Sequence, residues 1–243
     1  MQKTINTLSC NFKANGAGDP VKRAAMHRTW AGAEADLIFQ QEVPDGADNG
    51  YDVMYEAADQ LGGMAWVLGE GSCTALFANR NVFTVRREWG PGRRPWVLPP
   101  AAASVRLNCA GPDAVPLIAF AGHLNFDSYS HRAAEGSWLT SYNDKRIRSN
   151  DGGLVQLPAI GGVDRNSYRQ GDAYIPRLDQ ITDDAHRAHR SRPGPDGGLV
   201  MDTEPDGQAH NRSVPLRRPG LHPLPHSRAT AILPKDLVLG RAA

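Results

Sequence analysis

Four apolar runs each stop at a polar side chain, and this repeated ending constrains the fold more than any other feature of the chain. Residues 4–10 (TINTLSC) end at Asn11, and residues 35–39 (ADLIF) end at Gln40-Gln41-Glu42. Residues 116–122 (PLIAFAG) end at His123, and residues 154–162 (LVQLPAIGG) lead to Asp164 and Asn166. Runs of this length, bounded by turn-forming residues, suit buried β-strands. A chain whose strands all finish in polar groups predicts a sheet scaffold with a functional rim at the strand ends.

Helical signals lie between the runs. Asp19-Pro20 predicts a helix start, with Asp as N-cap and Pro at the first helical position, followed by Val21, Ala24, Ala25 and Arg28. Residues 51–61 predict a second helix that ends before Gly62-Gly63, and residues 129–147 a third, with Trp138, Leu139 and Tyr142 on one face. Residues 73–78 and 82–89 predict two strands joined as a hairpin, and residues 102–109 and 116–124 predict another strand pair. This mixture of αβ alternation and antiparallel pairs predicts an α/β protein with two packed sheets flanked by helices, rather than one purely parallel sheet.

Bulk properties narrow the function. The 243 residues are 40% hydrophobic and 22% charged, enough to bury a sizeable core without a staple. A net charge of +1 argues against a general nucleic-acid coat protein and leaves room for a local basic rim. Cys10, Cys73 and Cys109 show no metal spacing and read as buried small hydrophobes in a reducing, cytoplasmic setting. The N-terminus predicts no secretory leader, and no apolar run predicts a membrane span. The five tryptophans are scattered and read as core or rim aromatics.

The strand-end residues form a coherent chemical set. Glu42 and Asp164 are hard oxygen ligands suited to Mg²⁺ or Mn²⁺. Asn11 and Asn166 can position a water or hold a phosphate oxygen. His123 can donate to a phosphoryl oxygen or move a proton. Singly, each has a plainer reading: Glu42 as a solvated loop acid, Asn11 as a turn former, His123 as a satisfied core histidine, and Asp164-Arg165-Asn166 as an ordinary turn.

The order of these residues resembles the endonuclease/exonuclease/phosphatase (DNase-I-like) superfamily. The likeness lies in Cys10-Asn11, in Gln41-Glu42 of DLIFQQE, in His123 and Asn125 of GHLN, and in Asp164 and Asn166 of GGVDRNS. It covers roughly residues 4–192. The resemblance implies a four-layer α/β/β/α sandwich of two mixed sheets and a metal-dependent phosphodiesterase or phosphomonoesterase. It implies Glu42 as the metal carboxylate with Asn11 beside the ion, and His123, Asp164 and Asn166 as the catalytic set. Asn125 would contact substrate, the cofactor would be Mg²⁺ or Mn²⁺, and the partner a phosphate ester, nucleic acid among the options.

The family's closing signatures, an Asp-Arg-Ile-type strand and Ser-Asp-His before the last strand, are missing. His210, His222 and His226 have no preceding Asp, and they lie in a Pro- and Arg-rich stretch. The sequence therefore predicts a domain over 1–192 and an atypical tail over 193–243, with the sandwich incomplete at its C-terminal end. The tail's composition is what a GC-rich coding region yields in a shifted frame. Two functions stay open: a hydrolase impaired by loss of the Asp-His pair, and a catalytically dead relative that only binds phosphate-containing ligands.

Overall fold

The fold comes from a computed structural model that describes residues 4–71, 73–111, 114–149, 152–166, 168–169, 178–201 and 203–204. Two four-stranded mixed sheets carry it. The first has the order β1 (Thr7–Asn11), β2 (Leu37–Gln41), β4 (Thr74–Ala78), β3 (Ala65–Leu68); the second has the order β10 (Ala159–Asp164), β7 (Leu117–His123), β6 (Ala101–Leu107), β5 (Phe83–Glu88). In each sheet one pair is parallel, β1 with β2 and β7 with β10, and the other pairs are antiparallel.

Side-chain alternation builds three hydrophobic layers from these strands. Leu37 and Phe39, Leu76 and Ala78, Ala101, Ala103 and Val105, and Ala119 and Ala121 all point between the sheets. Their neighbours Ile38, Ala75 and Phe77 point the other way, beneath α1 (Pro20–Ala31) and α2 (Asp52–Gln60), where Trp30, Met54 and Ala57 meet them. On the far side, Ala102, Ile118 and Phe120 pack with Leu139 of α3 (Tyr129–Thr140) and with Tyr142. The result is the α/β/β/α sandwich that the resemblance implies. Strands buried on both faces explain why β2, β4 and β7 read as nearly unbroken apolar runs.

Local signals hold where they are self-contained. The Asp19 Oδ1 accepts from the N–H groups of Val21 and Lys22 at 2.9 and 3.2 Å, with Pro20 opening α1. Other expectations are corrected. Residues 73–78 and 82–89 form strands but not a hairpin: both edges of β4 are taken, by β2 and β3, so the Asn79–Val82 turn carries the chain across to the second sheet. The helix expected to reach 147 stops at Thr140, because residues 146–148 form β8, paired with β9 (Leu154–Gln156). The single strand expected over 154–162 is two, separated at Leu157-Pro158, and β10 runs on to Asp164. The strand Ala65–Leu68 went unread in the sequence. Cys10 is buried as expected and Cys73 partly so, but Cys109 is exposed.

The sequence boundary at 192 falls inside a small hairpin, Ser191–Pro193 with Leu199–Met201. Residues 205–243, with His210, His222 and His226, lie outside the described residues. Among those described, β10 is an edge strand, and no helix is long and apolar enough to cross a membrane.

Close approach of the sheets depends on Gly162, while Gly161 makes room for a ring of the neighbouring strand β7. A Cβ on Gly162 would sit 2.4 Å from the Phe39 Cβ of the facing sheet, and one on Gly161 would sit 2.3 Å from the Phe120 ring. Gly162→Ala is therefore expected to cost about 1–3 kcal/mol of stability by overpacking. Urea unfolding measures this.

His27 gives a second prediction. It is buried on α1, bonded through Nδ1 to Gln60 Oε1 at 2.8 Å, with no partner at Nε2. Burial holds its pKa below the ordinary value of 6.5. Above that value both states are neutral; as pH falls below it, the unfolded chain takes up a proton that the folded chain resists. Stability should fall as pH drops from about 6.5 through the folded value, and His27→Gln should flatten that part of the Tm–pH curve.

Candidate functional site

Both parallel pairs end at the same place. Asn11 closes β1 opposite Gln41 of β2, and His123 closes β7 opposite Asp164 of β10. Since the sheets lie face to face, the carboxyl ends of these four strands meet at one rim. Gln41 fastens the junction from inside: its buried amide donates to Phe39 O and Gly162 O, each at 3.3 Å, and so links β2 to β10.

At the rim the Asn11 Nδ2 donates to Glu42 Oε1 at 2.8 Å and to Asp164 Oδ2 at 2.6 Å. Two carboxylates from distant parts of the chain thus converge on one amide nitrogen. The other Glu42 oxygen accepts the Ala14 N–H at 2.7 Å, and the other Asp164 oxygen accepts the Asn166 N–H at 2.9 Å. His123 is buried, with Nε2 3.9 Å from Asp164 Oδ2 and Nδ1 4.0 Å from Cys73 Sγ. Beside them lies an open depression of about 340 Å³ walled by Ala14, Glu42, Cys73, Leu98, His123 and Asn166.

The backbone around this depression is unusual. Ala14, Glu42 and Asn166 have φ of +48°, +62° and +52°. A non-glycine residue in the left-handed region costs of order 1–3 kcal/mol and persists only where its surroundings fix it. Here Arg190 Nη1 donates to Asn166 O at 2.9 Å, and Asn166 Nδ2 donates to Leu124 O at 2.7 Å. The Asn166 amide is thus partly engaged in holding its own loop.

Five of the six expected residues, Asn11, Glu42, His123, Asp164 and Asn166, come together. Asn125 serves the scaffold at its Oδ1, which accepts from the N–H groups of Asp127 and Ser128 at 2.8 and 2.7 Å. Its own N–H donates to Glu135 Oε2 at 2.6 Å, while Glu135 Oε1 accepts from Val97 N at 3.1 Å. The buried Glu135 therefore ties the 97–98 loop to the end of β7. Cys73, Leu98 and Ala14 were not read as site residues; they are apolar or small, and only the third dimension brings them to the rim.

The chain is similar to several solved structures. An endonuclease/exonuclease/phosphatase family protein from Bacteroides thetaiotaomicron shares 16% identity over 72% of this chain and 68% of that one, with a TM-score of 0.47. A humanized D. rerio TDP2 shares 14% over 67% and 62%, at 0.48. ANGEL2, described as a 2′,3′-cyclic phosphatase, shares 13% over 68% and 53%, at 0.47. The match thus spans less than two thirds of the TDP2 and ANGEL2 chains. No family model and no curated protein matches the sequence. What the site can do is read from its own side chains.

The donor set has the chemistry of a hard divalent ion: two carboxylate oxygens at one point beside a carboxamide that could offer its oxygen on rotation. Among the described residues, no three His, Cys, Asp or Glu side chains gather as a metal group, so an ion here would depend on the amide and on water as well.

The cysteines test the placement of the rim. Burial pushes the Cys10 and Cys73 thiols up, which slows attack by their thiolates, whereas Cys109 is exposed. Ellman's reagent should modify Cys109 first, Cys73 more slowly, and Cys10 only on unfolding. Cys109→Ser should remove the fast phase; equal rates at Cys73 and Cys109 would contradict this arrangement.

Proposed function

We propose that this chain is a phosphoesterase of the endonuclease/exonuclease/phosphatase type, hydrolysing a phosphodiester or phosphomonoester with Mg²⁺ or Mn²⁺. One observation carries the reading: Glu42 and Asp164, from different sheets, aim oxygens at the same Asn11 amide. Two like charges are brought together at a cost, and a bound cation is what such a pair suits.

Glu42, with the Asn11 amide turned to present its oxygen, would hold the ion. When bound, the ion would neutralise charge building on the phosphoryl oxygens. Asp164 orients the attacking water and accepts its proton as the new P–O bond forms. His123 lies on the same side, with Nε2 3.9 Å from Asp164 Oδ2, and donates to a phosphoryl or departing oxygen. Asn166 steadies the phosphate through the amide capacity left over from its bond to Leu124 O. Asn125 contributes by shaping the turn after β7, and any contact it makes with substrate uses its Nδ2.

The second reading, a binding-only relative, also has an observation behind it. Both Glu42 oxygens already have protein donors, and the Asp-His pair that closes the family's active site is missing from the sequence. Bis(p-nitrophenyl) phosphate separates the two. A hydrolase should turn it over only with Mg²⁺ or Mn²⁺, and Glu42→Ala should lower kcat by ~100-fold or more, the scale of losing one electrostatic stabiliser. No metal-dependent turnover, with inorganic phosphate binding still seen by calorimetry, would establish the binding-only protein.

A further inference from the structure

We infer that Asn15 is a positioning residue for the proposed reaction: its side chain holds a left-handed turn that delivers the Ala14 N–H to Glu42. The inference rests on the role given to Glu42 above. It starts from the backbone. Residues 14 to 18 all have positive φ: +48° at Ala14, +49° at Asn15, +76° at Gly16, +57° at Ala17 and +76° at Gly18. Glycine adopts this region freely, but alanine does not, because the Cβ crowds the next carbonyl oxygen; L-residues visit it singly rather than in runs.

Such a run needs something to fix it, and the starting of α1 does not require it. Asp19 caps that helix by itself, through the Val21 and Lys22 N–H groups. The fixing group is Asn15, whose side chain is 1% exposed. Its Oδ1 accepts from Gln40 Nε2 at 3.1 Å, and its Nδ2 donates to Asp45 Oδ1 at 2.9 Å. Gln40 and Asp45 flank Glu42 in sequence on either side. Arg23 supports Asp45 from behind, with Nη1 3.5 Å from Oδ2. Phe12 covers the turn closely enough that a Cβ on Gly16 would sit 3.0 Å from its ring.

The two neighbouring residues therefore grip one stretch of chain at three points. Asn15 binds before and after Glu42, and Ala14 binds Glu42 itself, N–H to Oε2 at 2.7 Å. With Asn11 on Oε1, both oxygens of the carboxylate are held by the segment from Asn11 to Asn15, so the direction of the group is set before any ligand arrives. Preorganisation of this kind is what a ligand carboxylate receives from the groups behind it, and loss of one such partner costs metal affinity ~10–100-fold.

The test uses the full chain and three readouts: hydrogen exchange at the Ala14 amide by NMR, Mn²⁺ affinity by electron paramagnetic resonance, and kcat on bis(p-nitrophenyl) phosphate. Asn15→Ala should speed Ala14 exchange about tenfold or more and weaken Mn²⁺ binding ~10-fold or more. It should lower kcat by a similar factor with KM little changed. Two controls separate positioning from stability. Asn49→Ala alters an exposed asparagine at the same φ of +49°, and Met54→Ala weakens the core under α2; both should leave exchange at Ala14 and Mn²⁺ affinity unchanged. Unchanged Ala14 exchange or Mn²⁺ affinity in Asn15→Ala would overturn the inference, as would equal losses in Met54→Ala. Wild-type protein that binds no Mn²⁺ sinks both this inference and the proposed function. Wild-type protein that binds Mn²⁺ but does not hydrolyse the ester sinks only the hydrolysis, and the first two readouts still decide the role of Asn15.

Discussion

Two sheets can share one rim only where their backbones come close, and in this chain the contact of Gly162 with Phe39 sets that distance. Any side chain on Gly162 would collide with the facing strand. The approach lets the Gln41 amide reach Gly162 O, which fixes β2 against β10 one residue short of Glu42 and two residues short of Asp164. If the sheets stood further apart, the Asn11 amide could not reach both carboxylates. The chemistry at the rim is therefore a consequence of packing in the layer beneath it.

The rim itself concentrates cost in a small volume. Glu42 and Asp164 repel each other, and Glu42, Asn166 and Ala14 occupy backbone conformations that non-glycine residues avoid. Each is offset by specific hydrogen bonds: Asn11 between the carboxylates, Ala14 N–H on Glu42, and Arg190 and Leu124 on Asn166. Strain and like charge gathered where the polar groups converge are what the proposed ligand site rests on.

Much of the scaffold was legible in the sequence, because strands buried on both faces and capped helices announce themselves locally. DLIFQQE is a strand wherever it is placed, and Asp19-Pro20 starts a helix whatever packs on it. The misreadings share a cause. The expected hairpin of residues 73–89 fails because β2 and β3 occupy the edges of β4, and the helix expected to reach 147 yields to pairing of 146–148 with 154–156. Strand pairing is a competition among distant segments, which a local window does not contain. Cys109 belongs with these: its apolar neighbours suggest burial, yet it sits on a short turn at the surface.

For the site, the residue types and their order at strand ends were available from the sequence, since both are written in single segments: Asn11, Glu42, His123, Asp164 and Asn166. Their convergence was not, nor was the recruitment of Asn15, Cys73 and Glu135 around them. Only its bonds to Gln40 and Asp45 give Asn15 a part in holding Glu42. The sequence by itself determined which strands form and which polar groups end them, because those depend on short-range alternation and burial. The tertiary structure decided which ends meet and which buried amides hold them, because that depends on how closely two sheets approach, a distance set by contacts between residues more than a hundred positions apart.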